Sequence, residues 1–254
     1  MLKLLELIAR RQGLGDLLAE GMTRLAQRWG LMDQPFHLAV KGQELPMHDP
    51  RVKIGVGIGY ATCTYGADHM NAAHDGYFTD QNFAPFQSVK SLGIYEPMHP
   101  TQMTTTKVRN YILLDTLWKM MDALGLCVFG YAPRGVVSMD LMIKALNAIT
   151  GWHTSLFELM KSAERGTILA RAFNSLEGFT IKDDRLPGRL YDPKPDGPNA
   201  GEAIFTEKDF QQGIELFYEL IGCDPQTGRP NRRKLIELGL EWVEEVLDQR
   251  KNGY

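Results

Sequence analysis

Apolar side chains in this sequence recur mainly every three or four residues, the spacing that places them on one face of an α-helix. The clearest run starts at Lys107 and continues to Gly125, a residue type that commonly ends helices. The stretch Phe36–Leu45 alternates in part between apolar and polar residues and ends before Pro46, so it is compatible with a brief strand. The pattern therefore predicts an all-α fold: a multihelical orthogonal bundle with long irregular loops and at most one or two short strands.

Local capping signals predict where other helices begin and end. Ser138 precedes a helical segment that ends near Thr150, and Ser155 with Glu158 forms a capping box for a helix towards Leu176. The stretches 76–106 and 182–204, which are rich in proline, are predicted to be irregular. Further helices are predicted over Met1–Arg11, from Asp16 to about Trp29, from Asp68 onward, from Thr206 to Ile221 and from Lys234 to Arg250.

Length and charge narrow the classes of function. A chain of 254 residues can form one large domain or two small ones without disulfides. Its net charge of −3 gives no basis for binding nucleic acid or an anionic membrane surface. Its apolar runs are shorter than the roughly 20 residues of a membrane-spanning helix. The sequence therefore predicts a protein with neither nucleic acid nor membrane as a partner.

The three cysteines, Cys63, Cys127 and Cys223, are far apart in the sequence. An odd, sparse set argues against a disulfide framework and favours a reducing compartment, so we expect a cytoplasmic protein. No two cysteines have the CxxC spacing of a zinc or iron–sulfur motif. Any metal cluster would therefore need ligands from elsewhere.

The first candidate site is the segment from Asp122 to Cys127. Asp122 falls in the last turn of a predicted helix, where the helix dipole disfavours a carboxylate by roughly 0.3–1 kcal/mol. The functional interpretation is a carboxylate that accepts hydrogen bonds from a ligand, with a thiolate beside it. The alternative is a surface acid and a buried cysteine that acts as a small apolar side chain, and spacing alone favours this alternative.

The second candidate is His69, which follows a segment with glycines at 55, 57 and 59. Alternate glycines allow close approach of backbone to a ligand, although no βαβ unit supports a dinucleotide-binding motif. His69 could place an imidazole at the edge of a pocket as a proton donor or acceptor. A lone histidine is more often a hydrogen-bonded structural residue, and His74 is a weaker candidate still.

The third segment, Lys41–Arg51, contains two prolines and charges of both signs. These features favour a structural turn in which Arg51 contacts Asp49 or Glu44. A structural role is the better interpretation of this segment.

Taken in order, segments along nearly the whole chain resemble the aldehyde ferredoxin oxidoreductase family of tungsten enzymes. The DxxGLC element in its helix–turn setting is the most specific of them. The matching stretches are GLGDLLAEG (13–21), VKGQELPMHDPR (40–51), GIGYATCTYGADH (57–69), DALGLC (122–127), NAITGW (147–152), FNSLEGF (173–179), DDRLPGRL (183–190) and the run from Phe217 to Leu240.

The resemblance implies an enzyme that holds tungsten (or molybdenum) between two pterins and oxidises aldehydes to carboxylic acids. Electrons would pass through a [4Fe–4S] cluster to ferredoxin. The DxxGLC element would bind a pterin: Asp122 would accept from its ring N–H groups, Gly125 would release the chain, and Leu126 would offer backbone. Cys127 would be one cluster ligand, and His69 would hydrogen-bond substrate or an oxo group near the metal.

The chain also departs from the family pattern. The three other cluster cysteines, spaced CxxCxxxC, are absent, as are the second DxxGL element, the catalytic glutamate and the N-terminal domain on which the cofactor rests. Asn71 stands where a basic residue is common. We therefore expect a part of a larger enzyme that is inactive alone: residues 1–46 from the family's middle domain and 47–254 as its C-terminal helical domain.

Two other interpretations stay open at the sequence level. One is a non-catalytic helical scaffold that has kept the fold, and the other is a family branch that acts on aromatic acyl-CoA substrates. A partial fold should also expose surface that its missing partner or split subunit covers. We therefore predict an apolar patch near 55–69 and 122–129, which self-association into a homo-oligomer would cover.

Overall fold

The computed structural model describes residues 1–71, 73–197 and 200–249. Within these ranges the chain forms eleven α-helices and one two-stranded antiparallel sheet, so the all-α prediction is confirmed. The helices are α1 (Leu2–Ala9), α2 (Leu14–Leu18), α3 (Met22–Trp29), α4 (Ile54–Thr62), α5 (Ala84–Ser88), α6 (Thr105–Ala123), α7 (Met139–Thr150), α8 (Leu156–Leu176), α9 (Glu207–Leu220), α10 (Arg232–Glu237) and α11 (Glu241–Gln249).

The predicted strand segment forms a small hairpin. Strand β1 (Ala39–Val40) pairs with β2 (Gln43–Glu44), with Ala39 opposite Glu44. Glu44 then accepts a hydrogen bond from the Thr23 backbone N–H at 2.8 Å. The hairpin is thereby tied to the first turn of α3.

Predicted helix starts with a side-chain cap are confirmed. Ser138 accepts from the Leu141 N–H, Ser155 accepts from the Glu158 N–H, and Thr206 forms a full capping box with Asp209. These caps satisfy backbone donors that have no partner within the helix. Glu158 differs from the prediction, because its carboxylate accepts from the Thr154 hydroxyl at 2.9 Å.

Several predicted boundaries are wrong. The helix expected from Asp16 to Trp29 is two helices, α2 and α3, and Asp16 lies in the first turn of α2 rather than at its cap. The helix expected from Asp68 is a series of turns. The last helix is divided into α10 and α11, and the loop 76–106 contains α5 and two short 3-10 helices.

The core has two clusters of buried side chains, and α6 and α8 contribute to both. The first cluster surrounds α4, α9 and the C-terminal half of α8. The second lies between α5, the rest of α6, α7 and the N-terminal half of α8. The expected boundary between residues 46 and 47 stays a prediction, and Val40 lies in the same cluster as α4.

Helix α4 is buried along its whole length and has charged groups at both ends. At its N-terminus the Val56 N–H donates to the Asp75 carboxylate at 3.3 Å, and Asp75 is paired with the buried Lys107. A Cβ on Gly55 would lie 2.8 Å from an Asp75 oxygen, so the glycine allows this approach.

At the other end of α4, two cations bind backbone carbonyls that lack helical partners. Lys41 Nζ donates to the Ala61 carbonyl at 2.6 Å, and Arg171 Nη2 donates to the Thr62 carbonyl at 2.5 Å. Both cations also contact the carboxylate of Asp184. Negative charge at the N-terminus and positive charge at the C-terminus match the helix dipole and stabilise the position of α4.

No helix in the described part of the chain is both long enough and apolar enough to cross a bilayer.

Candidate functional site

The loop that follows α4 carries the predicted site residue His69. Asp68 organises this loop, because its carboxylate accepts from the Tyr65 hydroxyl and from the Met70 N–H, each at 2.8 Å. A side chain that bonds its own backbone two residues on favours a turn over a helix. This explains why Asp68 does not begin the helix expected there.

Three histidines meet beside this loop. The ring centroids of His48 and His69 lie 4.6 Å apart, those of His48 and His74 also 4.6 Å, and those of His69 and His74 5.8 Å. His48 comes from the segment after β2, where the Tyr60 hydroxyl donates to its carbonyl at 3.0 Å. His69 is therefore one member of a cluster and not a lone imidazole.

The hydrogen bonds of His74 define its protonation. Lys53 Nζ lies 3.4 Å from its Nδ1, and its Nε2 lies 2.9 Å from the His69 carbonyl. An ammonium can only donate and a carbonyl can only accept, so His74 is neutral with its hydrogen on Nε2. Burial, together with the nearby Lys53, His48 and Arg134, lowers the pKa of His74 to about 4.

This buried imidazole should make folding sensitive to acid. The pKa of His74 is lowered from 6.5 to about 4 on folding, so the unfolded chain binds the proton more readily. Stability is present above the unfolded pKa and is lost as the pH falls, by roughly 1–2 kcal/mol between pH 7 and pH 5. Urea unfolding at these two pH values measures the loss.

The His74→Gln variant should lose part of this pH dependence. The exposed His153 offers a matched control, and His153→Gln should behave like the parent chain. An unchanged slope in His74→Gln would contradict the assignment.

The second candidate segment lies where α6 ends. Gly125 adopts a left-handed backbone (φ 67°), the Leu126 N–H donates to the Met121 carbonyl at 2.8 Å, and the Gly125 N–H donates to the backbone carbonyl of Asp122 at 3.0 Å. This is the Schellman arrangement that the glycine predicted. It occupies the N–H of Leu126, so the backbone group that Leu126 can still offer to a ligand is its carbonyl.

Asp122 and Cys127 lie on either side of this turn, and both are exposed. Partial desolvation raises the pKa of Asp122; the carboxylates of Asp68 and Asp115 add to this effect and Lys119 opposes it. Because Cys127 is exposed, the alternative in which it is a buried, apolar side chain is wrong. Cys63 and Cys223 are the buried thiols, and burial raises the pKa of Cys223 to about 12.

Arg134 connects the two segments. Its Nη1 lies 3.7 Å from the sulfur of Met70, next to His69, and its guanidinium lies 4.2 Å from the ring centroid of Phe129, two residues beyond Cys127. The Asp68 carboxylate also contributes to the raised pKa of Asp122. The segments that carry His69 and Cys127 thus lie on the same side of the molecule.

The predicted apolar patch is only partly present. Two aromatic residues of the predicted patch, Phe129 and Tyr65, are 60% and 59% exposed. The expectation that the glycine-rich segment is exposed is wrong, because Ile54–Thr62 is a helix whose residues are all buried. Alternate glycines remove side-chain bulk, which lets neighbouring elements pack against the helix backbone.

Three residues of this region were not predicted from the sequence to belong to the site: His48, Lys53 and Arg134. His48 lies in the segment interpreted as a structural turn, and that turn exists, with Arg51 bound to Asp49 at 2.7 Å. No spacing signal links these residues to His69, because tertiary packing brings them together. Among the described residues, no group of three or more His, Cys, Asp or Glu side chains is arranged to hold a metal ion.

The motifs, the helical fold and this site can be compared with known proteins. A model of "Aldehyde ferredoxin oxidoreductase, domains 2 & 3" matches residues 1–240. The chain belongs to this family. The family resemblance inferred from the sequence motifs is confirmed.

Relatives of this chain include a tungsten-containing enzyme and a subunit of a sulfonate oxidoreductase. The chain is 36% identical over 236 residues to a tungsten-containing aldehyde ferredoxin oxidoreductase of Pyrococcus horikoshii, covering 92% of this chain and 35% of the relative. It is 27% identical over 250 residues to the WOR-like subunit of an aliphatic sulfonate oxidoreductase of Pyrococcus furiosus, covering 94% and 34%. The chain thus spans about a third of the length of these relatives.

A solved structure shares the fold. The active site complex BamBC of benzoyl coenzyme A reductase, in complex with 1,5-dienoyl-CoA, superposes with a TM-score of 0.68 at 21% identity. The match covers 98% of this chain and 40% of the other. At this identity the likeness supports the fold and carries no information on substrate.

Proposed function

We propose that this chain supplies one side of the cofactor site of a tungsten (or molybdenum) bis-pterin oxidoreductase. The enzyme oxidises aldehydes to carboxylic acids and passes electrons through a [4Fe–4S] cluster to ferredoxin. The observation that supports this most is the exposure of Asp122 and Cys127 on either side of one glycine turn, on the side of the molecule that also carries His69.

The residues present fit a pterin. A carboxylate at a helix C-terminus is disfavoured by the helix dipole. Partial desolvation and, to a smaller extent, the carboxylates of Asp68 and Asp115 also raise the pKa of Asp122, against the opposing charge of Lys119. Ring N–H donors of a pterin would stabilise the Asp122 carboxylate by hydrogen bonding to it. A Cβ built on Gly125 would meet no atom within 4 Å, so the turn leaves space beside it, and the Leu126 carbonyl can accept as well.

The residues fit only part of a cluster site. A [4Fe–4S] cluster takes about four thiolates, and Cys127 is the exposed cysteine among the three in this sequence. The other ligands would come from polypeptide outside this chain, which is why we expect the chain alone to be inactive. When bound, the metal–pterin and the cluster supply the acceptor of the two electrons and the route for their transfer.

His69 is the candidate catalytic residue. Neither of its ring nitrogens has a hydrogen-bond partner among the described residues, so both are free to bind an oxygen atom of substrate. The bond from His74 to the His69 carbonyl holds the backbone in place. The imidazole can therefore donate to or accept from a substrate oxygen without breaking a protein contact.

Cofactor content tests this proposal directly. The chain would be assembled with the remaining polypeptide of the enzyme, tungsten, pterin, iron and sulfide. Bound iron and pterin would then be quantified. Cys127→Ser should lower iron content and weaken the cluster signal in electron paramagnetic resonance. Asp122→Asn should lower pterin content by about tenfold or more, because the amide presents fewer acceptors. Asp140→Asn on α7, an exposed change, is the control.

Activity with viologen and an aldehyde should fall with cofactor content. Parent levels of iron and pterin in both variants would refute the assignment of these two residues. The same preparation can be offered an aromatic acyl-CoA. Conversion of this thioester would indicate the family branch that acts on such substrates instead of on aldehydes. A scaffold role predicts no cofactor in any preparation.

A further inference from the structure

The surroundings of His69 are rich in cationic groups that lack anionic partners. Lys53 lies 3.5 Å from His48 Nδ1 and 3.4 Å from His74 Nδ1. Arg134 Nη1 lies 3.7 Å from the sulfur of Met70, the residue after His69, and its charge contributes to lowering the pKa of both His48 and His74. Neither Lys53 nor Arg134 takes part in an ion pair within residues 1–71, 73–197 and 200–249. Positive charge is thus concentrated beside the candidate catalytic histidine.

The carboxylates next to these residues in the sequence are bound elsewhere. Asp49, beside His48, is held by Arg51 at 2.7 Å. Asp75, beside His74, binds the α4 N-terminus and Lys107. Asp68, beside His69, accepts from a hydroxyl and a backbone N–H in its own loop. These three carboxylates therefore bind partners outside the cluster.

Several donors in the cluster have no acceptor among the described residues. Arg134 Nε is buried and makes no hydrogen bond. Nε2 of His48 has no partner in the described part of the chain, and the Lys53 ammonium has a third N–H beyond the two that face imidazoles. A buried donor such as Arg134 Nε is rarely left unpaired, since this costs about 1–3 kcal/mol. An anion among them would satisfy these groups together.

We propose that His48, Lys53 and Arg134 form a pocket for an oxyanion group of the substrate: a carboxylate, a phosphate or a sulfonate. The inference rests on the proposed function, because it places the reacting carbon near His69. The substrate class is then an aldehyde that carries a second, acidic group. The guanidinium can bind two oxygens of such a group side by side, while the ammonium acts as a point charge.

Anion binding can be measured on the chain without any metal. Histidine-labelled chain would be titrated with acetate, inorganic phosphate and methanesulfonate at constant ionic strength, with chloride as the balancing salt. Ring signals of His48 and His69 should shift and saturate. Lys53→Met and Arg134→Met should each weaken binding by about tenfold or more, because each removes a charged donor.

Lys144→Met is the matched control, since Lys144 is an exposed lysine on α7. It should bind the anions like the parent chain. Absence of saturable shifts with all three anions would overturn the inference. Equal affinity in Lys53→Met, Arg134→Met and Lys144→Met would do the same. The anion that binds most tightly identifies which acidic group the pocket prefers.

The assembled enzyme separates this inference from the proposed function. The ratio of kcat/KM for glyoxylate to that for acetaldehyde should fall about tenfold in Lys53→Met. Saturable anion binding by the chain supports the pocket even if the assembled enzyme oxidises no aldehyde, a result that would refute only the proposed function. Aldehyde oxidation without anion binding would overturn only the pocket.

Discussion

Replacing Asp184 with alanine should lower the free energy of unfolding by about 3–5 kcal/mol, a large part of the 5–15 kcal/mol typical of a domain. Asp184 is buried and binds Lys41 at 2.6 Å, Arg171 at 3.4 Å and the Tyr218 hydroxyl. The variant leaves two buried cations without the carboxylate they share. Urea or guanidinium unfolding, followed by circular dichroism, measures the change.

The control for this prediction is Asp140→Ala. Asp140 also forms an ion pair, with Lys144 at 2.7 Å, but both side chains are about 70% exposed (73% and 70%). Exposed pairs contribute little, so this variant should change stability by less than about 1 kcal/mol. Asp184→Asn, which keeps an acceptor but loses the charge, should fall between the two. Equal stability of Asp184→Ala and Asp140→Ala would show that the buried network does not hold α4.

Replacing Lys107 with methionine should cost about 3–5 kcal/mol near neutral pH, because it leaves the Asp75 carboxylate buried without its counter-ion. Burial already raises the pKa of Asp75, and Lys107 opposes that rise. Without Lys107 the pKa of Asp75 rises further. A raised carboxyl pKa stabilises the fold at low pH and loses this contribution as the pH increases. The cost of the variant should therefore be smaller at pH 5 than at pH 8.

Unfolding of parent and variant at both pH values gives this difference directly, because the effect of His74 is common to the two chains. Lys144→Met, an exposed lysine change, should be nearly neutral. The double variant Asp75→Asn/Lys107→Met removes the stranded charge and should recover much of the loss. A double variant as unstable as Lys107→Met would indicate that packing of the lysine stem, and not charge, is responsible.

Both predictions concern α4, and this helix links stability to the site. Lys53, which faces two histidines, is the residue before α4, and the loop with Asp68 and His69 follows it. Charged groups that fix the ends of the helix therefore also fix Lys53 and the start of the loop that carries His69. Loss of either buried pair should disturb the histidine cluster before it unfolds the rest of the chain.

Local signals in the sequence determined much of the fold. The helical spacing predicted α6 and α8, and the caps at Ser138, Ser155 and Thr206 are present where expected. The end of α6 at Gly125 was also predicted. These features depend on residues within one or two turns of each other, so a single chain segment contains all the information they need.

The tertiary structure decided the rest. Three glycines should weaken a helix by about 1 kcal/mol each, yet 54–62 is helical because it is buried and because Asp75, Lys41 and Arg171 bind its ends. The sequence by itself determined the fold class, the family and the turn that exposes Asp122 and Cys127. The histidine cluster and the cations beside it, which have no ion pair among the described residues, came only from packing. Residues as far apart as Met70 and Arg134 come together only when distant helices bury their apolar faces against each other.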